Sequence, residues 1–94
     1  MALYKRGMAK AKDHDHEGAI DDYTVTLEMP RTSAELTAMV LYNRALAYVA
    51  AGNEASGIQD LNAISKMNTA PANVKRMAKQ KLVRMSLRSR KCRA

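Results

Sequence analysis

The sequence predicts an all-α protein: one domain of five helices. Three observations carry this. The apolar fraction is 47%, yet there is no Trp or Phe, only four Tyr, and seven Met. A core of Leu, Ile, Val, Ala and Met suits packed helices, because strands favour aromatic and β-branched side chains. Two Pro and four Gly are too few for a loop-rich all-β fold. Apolar residues also recur at helical spacing, as in Leu41, Ala45, Tyr48 and Val49, which share one face. At 94 residues the chain is too short for a TIM barrel, a full dinucleotide-binding fold or a two-domain enzyme.

The first helix is expected over 2–12 and the second over 16–29. Asp15 can cap the second and Glu17 suits its N-terminal dipole. Pro30 ends it. Thr32 or Ser33 can cap a third helix over 33–51, ahead of Glu35. Gly52-Asn53 reads as a stop followed by a start, with Gly taking the left-handed conformation and Asn53 accepting from free amides. In the fourth helix, 54–67, Ile58, Leu61 and Ile64 form a stripe, with Asp60 and Lys66 outside it. Pro71 and Asn73 open a fifth over 72–89. There Val74, Met77, Ala78, Lys81, Leu82 and Met85 mark one face, with Lys81 the single misfit. A basic tail, 90–94, follows.

The chain repeats internally. Shifted by 38 residues, Leu3-Tyr4-Lys5-Arg6 falls on Leu41-Tyr42-Asn43-Arg44. Ala9 then falls on Ala47, Asp15 on Asn53, Ile20 on Ile58, Asp22 on Asp60 and Met29 on Met67. Met29 and Met67, being equivalent, are expected to pack between helices. Repeat one spans 3–30 and repeat two 41–67.

The residues inside each run resemble the tetratricopeptide repeat, a helix–turn–helix unit of about 34 residues. Repeat two carries Leu41, Ala45, Tyr48, Gly52-Asn53, Gly57, Leu61 and Ile64; repeat one carries Leu3, Gly7, Asp15, Ala19, Tyr23, Thr26 and Pro30. Two departures stand in repeat one: Lys10 at the aromatic position and His14 at the turn glycine. The resemblance implies a superhelix of two repeats closed by the fifth helix as a cap. It also implies a peptide-binding groove lined by the first helix of each repeat. Those positions are Tyr4, Lys5, Met8 and Lys12, with Met39, Tyr42, Asn43, Leu46 and Ala50. Asn43 falls where one branch of the family bonds a C-terminal carboxylate. Met8 and Tyr4 replace other members of that clamp, so a looser groove is expected, with Lys5, Lys12 and Asn43 as a line of donors.

The net charge of +7 conceals two blocks. Residues 13–28 hold six carboxylates and no Lys or Arg; residues 74–94 hold nine Lys or Arg and no carboxylate. A basic end on a near-neutral body gives the rival reading: a nucleic-acid-associated protein binding through its C-terminal helix, with Arg88, Arg90, Lys91 and Arg93 as anion ligands. No aromatic is available there for base stacking, so such binding would be to the backbone and unspecific. The basic strip could equally meet an acidic protein partner, including the acidic second helix of another copy.

Enzymatic chemistry is not expected. Cys92 stands alone near the C-terminus with no base held beside it. No phosphate-binding glycine loop or Ser-His-Asp pattern is present. Asp13-His14-Asp15-His16-Glu17 has metal-ligand residue types, but it falls where the repeat needs its inter-helix turn, so a solvated turn and no metal or cofactor is expected. With no signal-like or membrane-spanning run and a lone cysteine, the expected location is cytoplasmic. The expected function is a non-enzymatic protein-interaction module holding a peptide, which an acidic ligand would suit. A second copy is expected to cover the exposed face around Leu3, since two repeats bury little surface.

Overall fold

The computed structural model describes residues 2–30 and 32–93, and the side chains of 3–30 and 32–87. Five helices follow one another: α1 (Ala2–Lys12), α2 (His16–Glu28), α3 (Ala34–Ala50), α4 (Glu54–Lys66) and α5 (Ala72–Arg93). No strand occurs among the described residues. Each helix packs on the next, and α1 also touches α3 as α3 touches α5. The result is a slab of 45 × 31 × 17 Å.

The helix ends are set by the residues that the sequence marks as caps. Asp15 Oδ1 accepts from the Gly18 amide at 3.1 Å, and Asn53 Oδ1 accepts from the Ser56 amide at 3.3 Å. Ser33, not Thr32, caps α3, accepting from the Leu36 amide at 3.1 Å. Thr32 instead donates to the Thr26 carbonyl at 3.0 Å and ties the α2–α3 connection down. The two hairpins coincide at a shift of 38 residues, since α2 at His16–Glu28 corresponds to α4 at Glu54–Lys66. The turns coincide as well. Gly52 has φ 90°, and its counterpart His14 adopts φ 67° despite having a side chain.

Two apolar clusters share α3. Val40 and Ala47 join Tyr4, Ala19 and Tyr23 in one. Ala38, Leu41 and Ala45 join Leu61, Ile64, Val74, Ala78 and Met85 in the other. The central helix is therefore apolar on two faces, which is why its sequence is so rich in Ala, Leu and Val. Gly57 permits the close α3–α4 approach: an added Cβ would lie 2.8 Å from Val49 Cγ2 and 3.0 Å from the Ala45 carbonyl oxygen.

Four sequence expectations need correction. The buried stripe of α4 is Gly57, Asp60, Leu61 and Ile64, while Ile58 is exposed. Asp60 can be buried because Arg44 of α3 meets it with two hydrogen bonds, Nε to Oδ2 at 2.8 Å and Nη2 to Oδ1 at 2.7 Å. Met29 is exposed at the C-cap of α2, whereas Met67 packs against the core. On α5 the inward face is Val74, Ala78, Leu82 and Met85; Met77 stands beside it, 40% exposed.

Candidate functional site

The residues that the sequence assigns to a groove divide into three groups in the structure. Tyr4 leaves the surface altogether. It is 6% exposed, and its ring lies 6.0 Å from that of Tyr23 inside the α1–α2–α3 cluster. The helical register of α1 turns Tyr4 inward together with Gly7, so it supports the floor of the site and does not line it. Its hydroxyl accepts from Asn43 Nδ2 at 2.7 Å. Burial pushes the Tyr4 phenol above its ordinary value, and the Asn43 hydrogen bond partly opposes that.

Asn43 is thereby a bridge between α1 and α3. The same nitrogen also donates to the Met39 carbonyl at 3.1 Å. Both amide hydrogens are committed, so Asn43 can answer a ligand only through Oδ1, as an acceptor. This corrects the expectation of Asn43 as a donor to a carboxylate.

Met39, Tyr42 and Asn43 line a cavity of about 180 Å³ with Asn73, Val74 and Met77 of α5. Met39 is 44% exposed and Met77 40%. The two thioethers stand at its rim, Val74 and Tyr42 give it apolar walls, and Asn43 and Asn73 supply amides. The sequence places Val74 and Met77 in the cap's packing face and misses their part here. Their signal was available in the spacing: Met77 stands three residues after Val74 and one before Ala78, about 60–100° to the side of the buried face. Lys5, Met8 and Lys12 are exposed on α1, and Leu46 is half-buried on α3; none of the four lines this cavity.

Ion pairs brace α1 against α2 and α3 against α4. Arg6 donates to Asp22 from Nε at 2.9 Å and from Nη2 at 2.8 Å, and Lys10 Nζ lies 3.3 Å from the same carboxylate. Arg6–Asp22 and Arg44–Asp60 are equivalent under the 38-residue shift. The Arg6 hydrogen bonds hold the Asp22 carboxyl at about 2, against 3.8 ordinarily. Arg44 also donates to Thr24 Oγ1 at 3.2 Å and lies 5.6 Å from the Tyr48 ring centre. In repeat one Lys10 stands where repeat two has Tyr48 and takes a direct hold on the aspartate instead.

Asp13, His14 and Asp15 form the α1–α2 turn while His16 and Glu17 open α2, and the rings of His14 and His16 meet edge to face at 6.0 Å. Among the described residues no three His, Cys, Asp or Glu side chains come together as a metal site. The α5 backbone is helical to Arg93, but the side chains of Arg88, Arg90, Lys91, Cys92 and Arg93 lie outside the described residues. Nearer its start, Arg76, Lys79, Gln80, Val83 and Arg84 line a shallow depression of about 400 Å³. Among the described residues no helix is long and apolar enough to cross a membrane. No family model, curated protein or solved structure matches the chain.

Proposed function

We propose that the chain is a non-enzymatic protein-interaction module of tetratricopeptide type, which holds a peptide segment against α3 and α5. One observation carries the reading. The core closes on its own residues, yet the α3–α5 cavity stays open and keeps two methionines exposed at its rim. Methionine is flexible and polarizable, so such a rim adapts to an inserted apolar side chain. Around it the asparagine amides can hold a peptide backbone, with Asn43 fixed in place by Tyr4. Lys5 and Lys12, seven residues apart on α1, favour an acidic flank on the ligand. The tetratricopeptide assignment is supported by the two equivalent hairpins, their matched turns and caps, and the recurrence of the Arg–Asp pair.

The test is a peptide-display selection on the wild-type chain, followed by affinity measurements on two variants. Met39→Glu with Met77→Glu should weaken a selected peptide at least about tenfold, a loss of roughly 1.4 kcal/mol. Neutralising Arg88, Arg90, Lys91 and Arg93 should leave it nearly unchanged. Binding should also survive about 0.5 M salt, which backbone binding to nucleic acid would not. Failure to select any peptide, or loss of binding only in the tail variant, refutes the reading.

A further inference from the structure

The 38-residue recurrence continues into α5. Leu36, Val40 and Ala47 of α3, which pack toward α2, correspond to Val74, Ala78 and Met85 of α5, which pack toward α4. The second face does not follow. In α3 it is Ala38, Leu41 and Ala45, buried against α4. In α5 the same positions are Arg76, Lys79 and Val83, all exposed, and no helix among the described residues covers them. The depression of about 400 Å³ lined by Arg76, Lys79, Gln80, Val83 and Arg84 therefore lies where the repeat geometry seats a helix. Val83 and Leu87, one turn apart, are each 53% exposed beside these cations.

Charge selects the occupant. A helix seated there must offer carboxylates to Arg76, Lys79 and Arg84 and an apolar side chain to Val83 and Leu87. The chain carries one such helix. On α2 the exposed residues Glu17, Asp21, Val25 and Glu28 recur at helical spacing, and no Lys or Arg occurs from 13 to 28. None of Asp21, Glu28, Arg76 and Arg84 is in an ion pair among the described residues. Asp21 and Glu28 are separated by about 10.5 Å of helix, and Arg76 and Arg84 by about 12 Å. A nucleic-acid backbone would meet the cations but leave Val83 and Leu87 in water.

We infer that the α5 face of one copy docks on the acidic outer face of α2 of a second copy. The contact joins two different surfaces, so it builds either a chain of copies or a closed ring. It does not use the groove, and the two can be tested apart.

Sedimentation velocity on the full chain tests it, with four samples whose helicity is first matched by circular dichroism. The wild type should show mass rising with concentration at low salt and falling back at about 0.5 M salt. Asp21→Lys with Glu28→Lys should weaken association at least about tenfold, as should Arg76→Glu with Arg84→Glu. Mixing those two variants restores opposite charges across the contact, so association should return although each alone associates at least about tenfold more weakly than the wild type. A wild type that stays monomeric into the millimolar range overturns the inference. So does a mixture that remains monomeric. Binding of a random oligonucleotide that needs Arg76 and Arg84, in a chain that does not self-associate, assigns the face to a polyanion and overturns it too.

Discussion

Replacing His14 by glycine should make the protein more stable, although it deletes a whole side chain. His14 sits at φ 67°, the left-handed region, at the end of the α1–α2 turn. Its counterpart in the second hairpin is Gly52, at φ 90°. A side chain in that conformation costs about 1–2 kcal/mol, and histidine tolerates it better than most, so the lower end applies. Glycine at 14 would lose about 0.5 kcal/mol of that gain through its freer unfolded chain. The net gain is about 0.5 kcal/mol, or roughly 2–4 °C in Tm for a domain of this size. The reciprocal change is Gly52→Ala. No atom lies within 4 Å of the Cβ it would add, so its cost is purely conformational, about 1 kcal/mol. Thermal denaturation followed by circular dichroism measures both. A His14→Gly protein that melts below the wild type would show that His14 is held by contacts worth more than its backbone strain. The equivalence of the two turns would then fail.

Leu61→Ala should cost about 3–5 kcal/mol in urea denaturation, since Leu61 is fully buried between α3, α4 and α5; under about 1 kcal/mol would mean the α4 face is misassigned. Asp60→Asn keeps the shape but leaves Arg44 facing a neutral amide, and should cost about 2–4 kcal/mol. Acid should weaken the fold through Asp22. Its folded value of about 2 lies below the ordinary 3.8, so its contribution is complete above about pH 4 and is lost as pH falls toward 2. Urea midpoints measured across that window should drop in the wild type and drop less in Asp22→Asn.

The helices were legible because their signals are local. Asp15, Ser33, Asn53, Gly52 and Pro30 each act within a turn of where they stand, and the observed ends differ from expectation by at most one residue except at α5. Burial of charge was not legible. Asp22 and Asp60 look like solvent residues until Arg6 and Arg44 are brought over them, sixteen positions away in sequence. The α3–α5 cavity was half legible. The family resemblance put Met39, Tyr42 and Asn43 among the groove positions of α3, but it did not show that Tyr4 turns into the core or that Val74 and Met77 line the cavity with them. Both depend on how α1 and α5 are rotated against α3, a property of packing between helices. For the basic strip of α5 the sequence offered an acidic partner, the second helix of another copy among them, but not the face it would use; that face shows only when the α3 positions 38 residues earlier are seen to be covered by α4.

Seven methionines make the central claim directly measurable. With the methionine methyl groups labelled, a display-selected peptide titrated into the chain should move the Met39 and Met77 signals together, along one saturating curve. Met29, exposed on α2 and outside the cavity, should stay in place. Shifts at Met29 without shifts at Met39 and Met77, or a peptide that binds and moves neither rim methionine, would contradict a groove between α3 and α5.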